Sequence, residues 1–425
     1  YPAKIKRVIS VFCFGGLSHM DSFDPKPELT RMDGTAVSGN PKFDTGGRSA
    51  PGKLMKSPWE FRNYGQSGMP VSSLFPNIAK HVDEFALIRS MKSDSNNHVP
   101  AVYHMLTGSI LAGRPGLGGW ASYGLGTENR SLPSFVVMTD PRALVGGGAG
   151  NWSNGFLPAN HQGVLFRSQG LPVLNLTPPK GVSDAEQRAS LKHLESLNAG
   201  FASQRPLEQE LAARMRSYEL AYRMQTEAPD VMDLSKESKE TLEMYGADPK
   251  VPSFARACLL ARRMVERGVR FVQIFLSGQP WDTHAQNAAK LRDLCAMTDQ
   301  PSAALVHDLK RRGLLDDTVV IWGGEFGRTV YSQGTLTPEN YGRDHHPRCF
   351  TMWMAGGGVK AGYVHGETDD FGYNIVRDGV HVHDFHATML HLMGIDHERF
   401  SFKFQGLDQR LTGVVPAKVL PGLLA

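Results

Sequence analysis

Apolar residues recur along the chain in two rhythms. Short continuous runs predict strands buried on both faces: 4–14 (KIKRVISVFCF), 85–91 (FALIRSM), 134–140 (SFVVMTD), 269–278 (VRFVQIFLSG), 318–326 (TVVIWGGEF) and 349–357 (CFTMWMAGG). Between them, helical spacing appears at 73–84, in a segment ending at Gly108 with Pro100 near its first turn, and at 253–267, 285–313 and 384–395, the last with Asp384 as its expected cap. Helices alternating with buried strands predict an α/β protein with a mostly parallel central sheet covered on both faces. Residues 184–250 break the rhythm. They are polar, charged and helical in pattern, and are expected to form a helical insertion or cap within a single domain spanning 1–425. Residues 34–70, rich in Gly, Pro and Ser, and residues 141–182 read as loops.

Composition narrows the function classes. The chain has 425 residues, 41% hydrophobic and 21% charged, which suits a folded protein in water. The net charge of +4 comes without a Lys/Arg block, so nothing points to nucleic acid. No segment approaches the ~18 apolar residues of a membrane helix. None of the four cysteines stands in a CxxC pair, which excludes a zinc ribbon and a thioredoxin motif. The first residue is Tyr1 rather than Met, which suggests processing and an exported protein.

Ligands of an open parallel sheet sit outside the carboxyl ends of its strands, so the residues after each strand matter most. The first strand is followed by Ser18, His19, Asp21 and Asp24; FALIRSM by Asn97 and His98; VRFVQIFLSG by Trp281, Asp282, Thr283 and His284; and TVVIWGG by Glu325 and Arg328. Arg343, Asp344, His345 and His346 precede CFTMWM. A lone Asp after a strand is usually a turn or cap residue. Convergence of five segments instead suggests a metal-supported site. In Asp282-x-His284 both side chains face one way in an extended segment, so both can reach one cation. His345 and His346 point apart, so one of them is the better ligand. The mixed His and carboxylate set leaves zinc and calcium both open. GGEFGRT lacks the Lys-Ser/Thr ending and the glycine spacing of a phosphate loop.

The ordered strings GGLSHMDSFDPKPEL, YHMLTG, WDTHAQN, GGEFGRT, GRDHHP and HDFHATMLHLMGID resemble the bacterial family catalogued as domain of unknown function 1501, over essentially the whole chain. That family looks like a branch of the alkaline phosphatase and sulfatase superfamily. The resemblance implies an α/β sandwich with metal at the strand ends, and a sulfatase acting on a sulfated carbohydrate. A phosphoesterase, or a carbohydrate-binding protein with a degenerate site, stand as alternatives. The sulfatase motif Cys/Ser-x-Pro-x-Arg with a following Thr-Gly is matched by His98-Val99-Pro100-Ala101-Val102, then Thr107-Gly108. His98 thus takes the place of the residue converted to formylglycine, and Val102 that of the Arg. A formylglycine mechanism is ruled out on this alignment. Sulfatases and phosphatases also place Asp-His where this chain has Glu325-Phe326.

The expected metal ligands are therefore Asp21, Asp282, His284, Glu325, His345 and His346. His98 is expected to attack the ester directly, to bind metal, or to act as a base. His104 is expected to face the leaving group or to be a buried helix residue. Arg328 and Arg343 are the expected contacts to an anionic small-molecule or oligosaccharide substrate.

Overall fold

The computed structural model describes residues 2–37, 43, 51–139, 145–167, 172–174, 176–178, 180–204, 209–276, 278–333, 335–337 and 341–425. Parts of both expected loops and of the expected insertion lie outside these residues.

The strands that build the site are β1 (Arg7–Phe12), β2 (Phe85–Lys92), β3 (Phe135–Thr139), β4 (Val164–Phe166), β5 (Phe271–Phe275), β6 (Thr318–Gly323), β7 (Gly327–Gln333), β8 (Arg343–His346), β9 (Phe350–Gly356), β10 (Tyr363–His365) and β11 (Val380–His381). The central sheet runs β10-β2-β9-β6-β1-β5-β3-β4, with β11 beside the end of β2. All of its strands are parallel except β9, which is antiparallel to both β2 and β6. The expected α/β architecture with a mostly parallel sheet is present.

Alternate side chains of a strand face opposite sides, and the core divides accordingly. Ile9, Val11, Val272, Ile274, Val320 and Trp322 pack with Leu259 and Leu305 from α3 (Phe254–Glu266) and α4 (Asn287–Arg311). Val8, Phe12, Phe271, Phe275, Val319 and Ile321 pack on the other face. There they meet Val102 of α1 (His98–Thr107), Trp120 of α2 (Leu117–Leu125) and Phe385 of α5 (Val382–Leu392). Residues 184–250 contain helices Asp184–Gln204, Gln209–Met232 and Lys239–Tyr245. Among the described residues no helix is long and apolar enough to cross a membrane.

Three details differ from the sequence reading. The helix expected over 73–84 is a 3₁₀ helix over Ile78–Glu84. Pro76 disfavours an earlier start, and Asp299 of α4 accepts the Asn77 and Ile78 amides at 2.8 Å. The cap of α5 is His381. Asp384 closes the capping box from inside the helix, accepting the His381 amide at 3.2 Å. Finally, β7 and β8 form a separate three-stranded antiparallel sheet with Pro51–Leu54, where no strand was expected.

Helix α1 ends as expected at Gly108, whose φ of 70° is left-handed. A Cβ there would run into the Leu411 carbonyl. Gly108→Ala should cost more than about 1 kcal/mol in urea unfolding, with the denaturant slope unchanged.

His386 of α5 is buried and donates from Nε2 to the Met105 carbonyl at 2.8 Å. Burial pushes its pKa down to about 3 from 6.5, with the Met105 bond acting in the opposite direction. The unfolded chain takes this proton near pH 6.5 and the fold only near pH 3. Stability is therefore complete above pH 6.5 and falls through that window by up to about 1.4 kcal/mol per pH unit. Unfolding free energies measured between pH 7.5 and 5 should show this contribution as a shallower slope in His386→Gln than in the wild type, the remainder coming from other buried histidines such as His346, whose pKa burial also pushes down to about 3.

Candidate metal centre

The parallel strands β1, β2, β5 and β6 present their carboxyl ends to one edge. Because β9 runs the other way, the segment that enters it arrives at the same edge. Five loops therefore meet there. Strands β7 and β8 pair antiparallel, with Arg328 opposite His345. Gly342 packs so closely on His284 that any Cβ would overlap the His284 backbone. This close approach seats β8 against the WDTHAQN segment.

Four side chains converge at this edge: His98, Asp282, His284 and His345, whose ligand-capable atoms lie within 4.8 Å of one another. Asp282 is central. Its Oδ1 is 2.8 Å from His284 Nε2 and 3.1 Å from His345 Nε2, and its Oδ2 is 3.2 Å from His98 Nε2. His284 Nε2 and His345 Nε2 are 3.0 Å apart. His98 Nε2 is buried and has no aligned hydrogen-bond partner, in spite of its closeness to Asp282. His98 is the deepest of the three rings; about a third of the His284 side chain is exposed, so the centre opens on that side.

The outer nitrogen of each ring explains the inner one. His98 Nδ1 donates to Glu325 Oε1 at 2.7 Å, His345 Nδ1 to the Asn96 carbonyl at 2.8 Å, and His284 Nδ1 to Gln333 Oε1. With a proton on each Nδ1, each neutral ring turns an Nε2 lone pair inward. Three lone pairs and a carboxylate then crowd one point, an arrangement that requires positive charge between them. This is the wiring of metal-binding imidazoles, whose second nitrogen donates to an oxygen. The donor set fits a metal ion, and its three nitrogens suit zinc or another transition ion better than calcium. Without an ion, protons take its place. Burial opposes a charge on His98, but Asp282 and Glu325 raise its pKa. Asp282 raises that of His284. Burial would raise the pKa of Asp282, but the three imidazoles and Arg328 hold it well below the usual carboxylate range. Gln333→Leu should weaken zinc affinity by about 10–100-fold in a chelator competition, because His284 loses its orienting acceptor.

Of the expected ligands, Asp282, His284 and His345 are in this group and Asp21, Glu325 and His346 lie outside it. Asp21 forms a wholly buried ion pair with Arg343, at 2.8 and 3.1 Å. Glu325 accepts the Gly15 amide at 3.0 Å and holds His98 from behind. His346 turns away and donates to the Tyr373 carbonyl at 2.7 Å, as strand alternation requires. The two expected anion contacts are spent inside the protein. Arg328 is fully buried and donates to Asp282 Oδ1 at 2.7 Å and to the carbonyls of Gly15, Gly16, Trp281 and Arg343. Arg343 bonds Thr329 and Met55 carbonyls besides Asp21. His104, six residues beyond His98, belongs to a different cluster. Sequence reasoning missed Gln333 and the Asn96 carbonyl. A backbone oxygen carries no residue-type signal, whereas Gln333 was findable only once β7 was known to reach the site.

Fold and centre together define an α/β protein with a histidine-rich candidate metal site at the strand ends of its sheet. The chain belongs to the family described as "Protein of unknown function (DUF1501)", whose model matches residues 5–424. No curated protein matches it in sequence. Solved structures similar to it include PsFucS1 sulfatase from Pseudoalteromonas sp., at 13% identity over 93% of this chain and 68% of that one, with a TM-score of 0.36. Alkaline phosphatase from the Antarctic bacterium TAB5 aligns at 11% identity over 93% and 99%, with a TM-score of 0.36. Ps i-CgsB aligns at 11% identity over 92% and 72%, with a TM-score of 0.39.

Proposed function

We propose that this protein is a metal-dependent hydrolase of sulfate esters, with a carbohydrate as the alcohol part. The carrying observation is the inward turn of three imidazole Nε2 atoms around Asp282. The resemblance to the sulfatase branch supports the ester class.

A divalent ion, when bound, would offset the negative charge of the ester's oxygens as the leaving group departs. The chain's own residues do the rest. Asp282, His98, His284 and His345 would hold the ion. Arg328 fixes the Asp282 carboxylate, so the donor set is in place before substrate arrives. Glu325 holds the proton on His98 Nδ1 and keeps its Nε2 lone pair turned inward. This supports His98 as a ligand rather than as the attacking group, because attack would require the ring to leave the centre. Water would then be the nucleophile: its oxygen bonds the sulfur, the bond from sulfur to the alcohol oxygen breaks, and the proton the water loses is matched by the one the departing alcohol gains. The ester approaches from the open His284 side.

Charge favours sulfate over phosphate. Arg328 and Arg343 are both committed to internal partners, which leaves a site with little spare positive charge. A sulfate ester brings one negative charge, whereas a phosphate monoester dianion brings two and needs more cations.

The test is release of sulfate and phosphate, by ion chromatography, from sulfated polysaccharides, their oligosaccharides and phosphate esters, with and without chelator. Chelator-sensitive sulfate release is expected. Phosphate release alone would move the protein to the phosphoesterases. Release of neither by zinc-loaded protein would overturn the assignment as a hydrolase of these esters.

A further inference from the structure

A second histidine cluster lies apart from the centre just described. It is made by His104 of α1 and by His381 and His383, where β11 runs into α5. Six residues along a helix separate His98 from His104 by about 9 Å and about 240° of rotation, so the two rings serve different places. The ligand-capable atoms of His104, His381 and His383 lie within 4.8 Å of one another. The ring centroids are 4.8 to 5.3 Å apart.

We propose that His104, His381 and His383 form a second metal site. The surroundings share part of the wiring of the first. His383 donates from Nε2 to the Gly108 carbonyl at 2.8 Å, while its Nδ1 is buried without a partner. His381 Nε2 donates to Asp94 Oδ1 at 3.0 Å, leaving Nδ1 unprotonated. That Nδ1 also accepts the His383 amide at 3.2 Å, as the cap of α5. His104 Nδ1 accepts the Asp94 amide at 3.4 Å and lies 3.2 Å from the Ser93 hydroxyl, which places the ring's proton on Nε2. His104 Nε2 is 3.5 Å from Asp94 Oδ2. His383 Nδ1 is thus the lone pair already free, Asp94 supplies a negative charge beside the rings, and an ion would recruit His104 and His381 by displacing the Nε2 proton of the first and the amide bond to Nδ1 of the second. Three imidazoles with an open fourth position suit zinc or a similar transition ion. His104 and His383 are buried, so these rings meet in the interior rather than as surface histidines.

The proposal does not depend on the function of the first centre, and one experiment separates them. The full chain is stripped with a strong chelator, reloaded with zinc alone, gel-filtered and assayed for metal by mass spectrometry. The wild type should retain about two zinc ions per chain. His383→Gln and His284→Ala should each retain about one, and the double variant essentially none. His104→Gln is the second variant of this cluster, and cobalt absorption of the wild type counts tetrahedral sites without any substitution. A wild type that holds one zinc, lost in His284→Ala and kept in His383→Gln and His104→Gln, would overturn the second site. One zinc lost only in the His383 and His104 variants would support it and remove the first.

Discussion

Asp282→Asn should reduce hydrolysis by at least about 10³-fold and leave the first centre unable to keep zinc through gel filtration. The substitution changes little else. Asparagine retains an oxygen for the Arg328 guanidinium, which is 2.7 Å from Oδ1 in the wild type. What is lost is the negative charge at the middle of three imidazoles. Those rings are then held within reach of one another with nothing to offset a divalent cation. Metal content and turnover should fall together. Turnover that survived with an empty centre would show that the chemistry lies elsewhere in the molecule.

The second large effect is on stability. Arg343→Met should destabilise the fold by about 3–5 kcal/mol, because it leaves the Asp21 carboxylate charged and without its cation in the interior. Burial alone would raise the pKa of Asp21, but Arg343 and the Ser18 hydroxyl hold it below its ordinary value. The stabilisation is therefore present at neutral pH and lost as pH falls through the range below the usual Asp value. The double variant Asp21→Leu/Arg343→Met should recover a large part of the loss, since no bare charge remains. Urea unfolding of both single variants and the double one gives the coupling directly. Equal losses in single and double variants would mean that the carbonyl bonds of Arg343 to Thr329 and Met55 matter more than the ion pair.

Much of this was legible in the chain, for physical reasons that differ by residue. Buried strands read clearly because two covered faces force continuous apolar runs such as RVISVF and TVVIWG. The edge of the sheet then told where Asp282 and His284 would meet, and the two-residue period said that His345 and His346 would part, but the sequence favoured His346, which the fold turns towards the Tyr373 carbonyl. The functions of Asp21, Arg328 and Arg343 were not legible. A carboxylate that binds an ion and one that binds a buried guanidinium have the same letter, and the choice is made by partners hundreds of residues away. Arg328 shows this most sharply. Its position after a strand suggested substrate, yet complete burial among four carbonyls makes it a brace for Asp282. The strands β7 and β8 escaped because GRTVYSQ and RDHH have polar letters at positions that the fold nevertheless buries.

The first centre draws its donors from α1, from the loop after β5 and from β8, with α2 and α3 between the first and second of them and α4 between the second and third. No part of the growing chain can assemble the site until β8 has emerged, long after α1 has left the ribosome. Loading is therefore a late event in the life of each molecule. The ion found there will be the one supplied in the compartment where folding ends, since affinity alone does not discriminate among transition metals of similar donor preference. Two batches of the same sequence, folded in different surroundings, should be expected to carry different metals and to work at different rates.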